Sequence, residues 1–180
     1  MTWSHIARRI RVPLGFALAV AYVWLAQPTW ASIVIGAVVA MVGVAIRASA
    51  SGHVKKNTEL TKTGPYARVR NPLYVGSIVI AAGFAVAALN WWIVVLLVAM
   101  FVAIYVPVIR SEEDFLRNAF PEFTEYCERV PRLVPRFSRA YEGTATFSME
   151  LYRKHREYNA FIGTAAMLAA LVSKKLWFHS

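Results

Sequence analysis

Long apolar runs, separated by short connections, constrain the fold of this chain more than any other feature. A helix needs about 20 mostly apolar residues, at about 1.5 Å each, to cross the hydrocarbon layer of a bilayer. Four runs approach that length: Val12–Trp30, Ser32–Ala50, Pro72–Leu89 and Trp91–Ile109. The chain has 180 residues and is 58% hydrophobic and 17% charged, which is too apolar for a soluble domain of this size. The sequence therefore predicts an all-α integral membrane protein, a polytopic helix bundle with four spans.

The positive charge alternates from one connection to the next. Basic residues cluster around Arg8–Arg11, Arg47–Arg70 and Arg110–Arg156, whereas Gln27–Ala31 and the turn at Asn90 carry none. Under the positive-inside rule, the basic connections are cytoplasmic. We therefore expect a multi-pass protein of an inner or plasma membrane with a cytoplasmic N-terminus. The net charge of +10 indicates attraction to anionic membrane lipids. Nucleic acid is not expected as a partner, because the charge follows the predicted topology.

The chain changes character after the fourth run. Ser111–Arg129 has apolar residues near helical spacing among charged ones, which predicts an amphipathic cytoplasmic helix that ends before Pro131 and Pro135. A second polar helix is predicted over Thr146–Tyr158.

The last apolar run, Ala160–Ser173, is short, and Lys174 and Lys175 follow it. It is either a fifth span extended through Trp177 or an interfacial or re-entrant helix. The span interpretation puts both lysines on the side that the charge rule disfavours. With this run, the prediction is a single membrane domain over residues 1–180 with four to five transmembrane helices.

Two polar segments beside predicted spans carry the candidate chemistry, and the first runs from Thr61 to Gly76. Gly64-Pro65 predicts a turn, and Pro72 can start a helix while it keeps Asn71 extended. Asn71, Tyr74 and nearby backbone amides would then lie at a helix N-terminus, which favours an anionic group such as a carboxylate. A positive-inside loop with an interfacial tyrosine explains the same residues equally well.

The second polar segment begins with Glu112, Glu113 and Asp114, directly after the fourth run. An acid at the membrane boundary that faces the bundle can bind a cationic ligand. The alternative is an acidic first turn that complements the dipole of the following helix. Cys127 is the one cysteine of the sequence, and the histidines lack metal-ligand spacing, so no metal site is predicted.

Taken together, the two segments carry two linked patterns. Gly64-Pro65-Tyr66, followed by Arg70-Asn71-Pro72-Leu73-Tyr74-Val75-Gly76, fits G-P-Y…R-H-P-x-Y-x-G. Glu112-Glu113-x-x-Leu116, with Phe120, Tyr126 and Arg129-Val130-Pro131-Arg132, fits E-E-x-x-L…F-G-x-x-Y-x-x-Y-x-x-R-V-P-R. In this order, and separated by a membrane hairpin, they resemble the isoprenylcysteine carboxyl methyltransferases and related phospholipid methyltransferases. The resemblance covers residues 60–135 and leaves 138–180 as a C-terminal extension.

The resemblance implies an enzyme that uses S-adenosylmethionine to methylate a lipophilic small molecule or a lipid that enters from the bilayer. The cofactor site would be cytoplasmic, with Glu112 at the cofactor's ammonium group, amides near Asn71 at its carboxylate, and Tyr66 or Tyr74 on adenine. Because methyl transfer from a sulfonium is an in-line displacement, the protein supplies mainly alignment and a dry pocket. By position, the cofactor-binding residues are Leu60, Thr61, Tyr66, Asn71, Pro72, Leu73, Tyr74, Gly76, Glu112 and Glu113, and the substrate-side candidates are Arg110, Tyr126, Arg129 and Arg132.

Three departures from the family pattern bear on the acceptor. Asn71 replaces a histidine, so it can form hydrogen bonds but cannot titrate near neutrality. The spacing around Phe123 is one residue shorter, and Val108 stands where many members carry an arginine associated with the substrate's carboxylate. A phospholipid amine is therefore the alternative acceptor. A sterol-reductase-like enzyme that uses NADPH and a non-catalytic membrane scaffold are the alternative functions.

Overall fold

The computed structural model describes residues 3–55, 58–143 and 146–178, and every regular element within these ranges is helical. The prediction of an all-α membrane bundle is confirmed. The helices are α1 (Trp3–Leu25), α2 (Trp30–Ser51), a 3₁₀ turn (Gly64–Ala67), α3 (Pro72–Ala88), α4 (Trp91–Ala119, with a π-helical turn at Phe101–Tyr105), α5 (Phe123–Arg129), α6 (Met149–Lys154) and α7 (Tyr158–Phe178).

Three of the described helices are long and apolar enough to cross a membrane: Trp30–Ser51, Trp91–Ala119 and Tyr158–Trp177. The apolar parts of the other two long helices are shorter, Pro13–Leu25 and Pro72–Ala88. With 17 residues, α3 is about 26 Å long, slightly less than the hydrocarbon layer. The last apolar run thus has the length and composition of a fifth span.

The boundary between the first two helices differs from the prediction, because Thr29 and Ser32 form a reciprocal cap. The Ser32 amide donates to Thr29 Oγ1 at 3.1 Å, and the Thr29 amide donates to Ser32 Oγ at 2.9 Å. This pairing satisfies two amides that a helix start leaves unpaired. Consequently α1 ends at Leu25, and Trp30 begins α2 instead of ending α1.

The predicted separate amphipathic helix Ser111–Arg129 was wrong. Helix α4 continues through the change from apolar to charged residues and ends at Ala119. No breaker stands between Ile109 and Ala119, so nothing in the local sequence interrupts the hydrogen-bond ladder. Pro121 disfavours a helical conformation at the preceding residue, and α5 starts only at Phe123.

The chain divides into two compact units, each assembled from separate stretches. The first unit comprises Met1–Ala40, Ala81–Glu113 and Gly163–Ser180, and the second comprises Met41–Ile80 and Asp114–Ile162. Helices α2, α3, α4 and α7 each contribute residues to both units.

In the first unit, α2 and α3 are in backbone contact at two glycines. A Cβ atom at Gly36 would lie 2.5 Å from Gly83 O, and one at Gly83 would lie 2.6 Å from Gly36 O. Small residues permit this close approach, which is a common way for helices to associate in lipid. Beside this contact, the buried core includes Tyr22, Ile93 and Leu171.

Hydrogen bonds join the end of α1 to the end of α3 and to α7 within the first unit. The Gln27 amide donates to Ala88 O at 2.8 Å, and the Asn90 side chain donates to Leu25 O at 2.8 Å. Lys174 Nζ donates to the carbonyl oxygens of Val23, Trp24 and Ala26 at 2.7–2.8 Å. These carbonyls end α1, where the helix dipole favours a cation.

This arrangement explains a lysine that the charge rule disfavours, because its ammonium group caps α1. Exposed tryptophans stand on the helix ends tied together here, as is typical of a lipid–water interface. They are Trp24, Trp30, Trp91, Trp92 and Trp177, each at least half exposed.

Candidate functional site

The 3₁₀ turn Gly64–Ala67 opens the first family-like segment, as predicted. Gly64 has a φ of +60°, a left-handed conformation that disfavours other residues. A Cβ there would also lie 2.5 Å from the His53 ring. Glycine is therefore required both by conformation and by space, and the turn buries Tyr66 and Ala67.

Helix α3 begins at Pro72, which also confirms the prediction. The amides of Tyr74 and Val75 both donate to the Asn71 carbonyl oxygen at 3.1 Å. Asn71 is therefore the residue from which the helix begins, and Pro72 loses nothing by lacking an amide hydrogen. This places Asn71, Pro72, Leu73 and Tyr74 on the first turn of α3 or immediately before it.

Two hydrogen bonds join this segment to the stretch that follows α5. The Arg70 amide donates to Pro131 O at 2.9 Å, and the Asn71 side chain donates to Arg132 O at 3.2 Å. The structure thus brings Asn71, predicted on the cofactor side, together with Arg132, predicted on the substrate side. Both residues belong to the second unit.

The pairing continues past Arg132 in an extended stretch. The Arg136 amide donates to Arg68 O at 3.0 Å, and the Ala140 amide donates to Ala67 O at 2.9 Å. Because these bonds use backbone atoms, they fix the path of both stretches independently of the side chains. The two family-like patterns therefore contact each other at Arg70 and Asn71, and the pairing extends beyond the second pattern to Arg136 and Ala140.

Tyr126 packs beneath this pairing in a second hydrophobic core. Its side chain is buried with Phe123 and Val130, and its hydroxyl donates to Tyr66 O at 2.8 Å. Arg70 Nη1 donates to Cys127 Sγ at 2.6 Å on the same helix. Tyr126, a predicted substrate-side candidate, thus fixes the turn that carries Tyr66.

Arg129, another substrate-side candidate, lies in a charged cluster around Tyr141. It forms a 2.8 Å ion pair with Glu125, and its guanidinium lies 5.6 Å from the centre of the Tyr141 ring. Lys62 Nζ lies at the same distance from that ring. Burial raises the pKa of the Tyr141 phenol, nearby Glu125 raises it further, and Arg129 opposes the shift. Tyr141 lies outside the family-like patterns, and sequence reasoning did not select it.

A cavity of about 400 Å³ opens beside this cluster, a size within the range of small-molecule sites. It contains two of the predicted cofactor residues, Leu60 and Thr61. Lys62 and Glu122 also line it and bring opposite charges within 4.0 Å. Sequence reasoning did not select either of these charged residues. The complete lining is Thr58, Glu59, Leu60, Thr61, Lys62, Thr63, Phe120 and Glu122.

Glu112 and Glu113, the acids predicted to bind the cofactor, lie in the first unit, on α4. Glu113 is 2% exposed, whereas Glu112 and Arg110 are exposed. Successive residues on a helix point about 100° apart, so the two acids face different surroundings. A carboxylate is costly to bury and needs polar groups around it. The position of Glu113 therefore tolerates fewer replacements than that of Glu112. Val108, which the family resemblance matches to an arginine, is fully buried.

The sequence profile of the phospholipid methyltransferase family matches residues 14–122. The chain belongs to this family. The match includes the 3₁₀ turn, the start of α3 and both acids of α4, and it stops before α5. The resemblance inferred from the two short patterns is therefore confirmed at the level of the family, and the protein is a membrane methyltransferase relative.

Two curated relatives of this phospholipid methyltransferase family member are named for metal resistance. The cobalt-zinc-cadmium resistance protein CzcN of Cupriavidus metallidurans is 37% identical over 97 residues, which are 54% of this chain and 44% of the relative. The nickel-cobalt-cadmium resistance protein NccN of Alcaligenes xylosoxydans xylosoxydans is 40% identical over 84 residues, 47% of this chain and 39% of the relative. The chain thus spans less than half of each. No solved structure matches it significantly.

A methyltransferase family implies S-adenosylmethionine as the usual methyl donor, and the cavity has the chemistry to suit such a molecule. Its lining combines the apolar side chains of Leu60 and Phe120 with the charged side chains of Lys62 and Glu122, which suits a molecule that carries both apolar and charged groups. Within the described residues, no group of three or more His, Cys, Asp or Glu side chains is arranged to hold a metal ion.

Proposed function

We propose that this protein transfers a methyl group from S-adenosylmethionine to a lipophilic acceptor that reaches the site from the bilayer. The observation that carries the proposal is the pairing of the two family-like patterns, Arg70 with Pro131 and Asn71 with Arg132, in one unit with the cavity at Leu60 and Thr61. A membrane site suits such an acceptor, because its apolar tail need not be transferred into water.

When bound, the donor supplies an electrophilic methyl group on a sulfonium. The residues of the chain bind this donor and orient it toward the acceptor. We assign the donor's carboxylate to the Leu73 amide, because the Tyr74 and Val75 amides already donate to Asn71 O and Pro72 has no amide hydrogen. The family resemblance assigns the donor's ammonium group to Glu112, the exposed acid of α4. Tyr66 and Tyr74 are assigned to the adenine ring. Alignment and exclusion of water then provide most of the rate enhancement, since in-line methyl transfer requires no nucleophilic side chain.

Two features of the chain favour a neutral or amine acceptor over a carboxylate. Val108 stands where the family resemblance leads us to expect an arginine, so it supplies no charge there, and its side chain is 1% exposed. Asn71 donates to Arg132 O and cannot act as a titrating base. We therefore propose that a phospholipid amine is the acceptor to be tested first, with a prenylated carboxylate as the comparison. Arg129 and Arg132 are the proposed contacts for an acidic head group.

The test uses the full chain in nanodiscs. S-Adenosylhomocysteine should raise its Tm, whereas NADPH, the cofactor of the reductase alternative, should leave it unchanged. The protein is then incubated with isotopically labelled S-adenosylmethionine and a native lipid extract, and mass spectrometry identifies the labelled lipid. If the protein does not bind S-adenosylhomocysteine and no labelled lipid forms, the methyltransferase assignment is refuted. Stabilisation by NADPH would support the reductase.

The names of the two relatives suggest a physiological setting. We propose that methylation by this protein contributes to tolerance of transition-metal cations. A deletion strain should grow less well with zinc, cobalt or cadmium, and wild-type protein should restore growth. The Glu112→Ala variant should not restore it. If the wild type and the Glu112→Ala variant restore growth equally well, metal tolerance does not depend on methyl transfer.

A further inference from the structure

The segment from Phe147 to Glu157, outside the family match, is attached to the C-terminal end of α2. The Ser148 amide donates to Gly52 O at 2.9 Å, and the Phe147 ring occupies the space that a side chain at position 52 would need. His155 Nδ1 lies 3.1 Å from Ser51 O, so it donates in the tautomer that carries the hydrogen there. All of these residues belong to the second unit.

The strongest contact of this segment is a bidentate ion pair between Arg47 and Glu157. Arg47 Nη2 lies 2.6 Å from Glu157 Oε1, and Arg47 Nε lies 3.0 Å from Oε2. The two side chains are only 22% and 11% exposed. Two parallel charge-assisted hydrogen bonds in a sheltered place fix the plane of the guanidinium.

The remaining nitrogen of the same guanidinium holds the first turns of α3. Arg47 Nη1 donates to Ser77 Oγ at 2.6 Å and to Leu73 O at 3.2 Å. The stem of Arg47 passes over Gly76, where a Cβ would lie 2.5 Å from Arg47 Cγ. The glycine of the family-like pattern therefore leaves room for this arginine.

The turn that presents Glu157 is strained. Arg156 has a φ of +53°, in the left-handed region. Its amide donates to Arg153 O at 3.0 Å, and the Glu157 amide donates to Tyr152 O at 3.3 Å, so the turn is a Schellman ending of α6. A residue other than glycine in this conformation persists only where the surrounding contacts hold it.

We propose that Glu157 is a positioning residue for the methyl-donor site. It orients Arg47, and Arg47 fixes the turn that carries Leu73 and follows Asn71. This inference rests on the proposed function, since it concerns the affinity of the same site for the donor. It assigns a role in that site to the C-terminal extension, which the family match does not cover.

The experiment measures the Kd of S-adenosylhomocysteine, and the KM of S-adenosylmethionine and of the lipid acceptor, in nanodiscs. Glu157→Gln keeps the shape of the side chain but removes its charge, and should raise the Kd and the donor KM about tenfold while the acceptor KM stays unchanged. Glu150→Gln, at an exposed acid of α6, is the matched control and should leave all three values unchanged.

A double-mutant cycle tests whether Glu157 acts through Arg47. The Arg47→Gln/Glu157→Gln variant should lose no more affinity than Arg47→Gln alone, because the carboxylate then has no guanidinium to orient. Multiplicative losses would overturn the proposal. Ser77→Ala removes one contact of Arg47 without disturbing the C-terminal segment and should also raise the Kd, which guards against failure of the Glu157 variant to fold.

The possible failures are distinguishable. If the wild-type protein does not bind S-adenosylhomocysteine, the proposed function itself is wrong. If the wild type binds and Glu157→Gln binds equally well, the positioning role is wrong and the methyltransferase assignment stands. A lower Tm with an unchanged Kd would show that the ion pair only anchors the C-terminal segment, and would equally overturn the proposal.

Discussion

The phenol of Tyr126 donates a 2.8 Å hydrogen bond to the backbone carbonyl oxygen of Tyr66, across sixty positions of sequence. The bond is buried, and it joins the helix after the acidic segment to the turn before α3. Since α5 has only seven residues, its own hydrogen bonds cannot hold it in place. Tyr126 therefore holds α5 against the turn that carries Tyr66, in the part of the candidate site that belongs to the second unit.

Tyr126→Phe should lower the free energy of unfolding by about 1–3 kcal/mol, because it leaves a buried carbonyl without its donor. The ring, and with it the packing on Phe123, remains. Unfolding in detergent, followed by circular dichroism, measures the change. Tyr152→Phe, which removes a hydroxyl from a partly exposed tyrosine of α6, is the control. Equal stability of the two variants would mean that Tyr126 acts through its ring alone.

The neighbouring acids of α4 should respond differently to truncation. Glu112 is exposed, so Glu112→Ala should leave the Tm of the ligand-free protein within about 1 °C of wild type while it abolishes binding of S-adenosylhomocysteine. Glu113 is 2% exposed, so Glu113→Ala should lower the Tm by several degrees, because it leaves a cavity and disturbs a buried polar environment.

Isothermal titration calorimetry on both acid variants separates these effects. Wild-type affinity in Glu112→Ala would remove Glu112 from the cofactor site. If Glu113→Ala alone lost affinity while keeping its Tm, the ammonium contact would belong to the buried acid instead.

The backbone preferences of single residues were sufficient to predict the starts of helices and the turns. Pro72 starts a helix, and Gly64-Pro65 makes a turn, because each restricts its own backbone. The continuity of α4 differs from the prediction, which places a helix boundary at the change from Ile109 to charged residues. Charged residues such as Arg110 are good helix formers, so the change in polarity marks a change of surroundings and not an end.

The long-range contacts had no sequence signal. Arg47 looked like one more cation of a cytoplasmic loop, and nothing near Glu157, 110 positions later, indicates that the two pair. Tyr141 and Lys62 were missed for the same reason, since a tyrosine between two cations is recognisable only after folding. The patterns select the stretches that we propose for the site, and the tertiary structure alone shows how these stretches are held.

Lys174 should be the more important of two adjacent lysines in α7. Lys174→Met keeps the stem but removes the ammonium group that binds three carbonyl oxygens of α1, and should cost about 1–3 kcal/mol of unfolding free energy. Lys175→Met, in the last turn of α7, removes an equal charge near the C-terminal end of the helix dipole and should cost less than about 0.5 kcal/mol. Chemical unfolding in mixed micelles gives both values, and equal costs would reduce the role of Lys174 to its charge.

Arg156→Gly should stabilise the protein. The left-handed conformation costs a non-glycine residue about 1–2 kcal/mol, whereas the extra unfolded-chain entropy of glycine costs about 0.5–1 kcal/mol, so the net gain is roughly 0.5–1 kcal/mol. The Arg156 side chain is exposed, so its removal loses little packing. Arg153→Gly, inside α6, has no strain to relieve and should destabilise by a similar amount.

The same variant separates stability from positioning. Arg156→Gly leaves the Glu157 carboxylate in place, so the Kd of S-adenosylhomocysteine should remain within twofold of wild type while the Tm rises. If the strain at Arg156 is needed to press Glu157 against Arg47, the Kd will instead rise although the protein is more stable. Thermal shift and calorimetry on one preparation decide between these outcomes, because general destabilisation would move the two readouts together, whereas relaxation of the turn would move them apart.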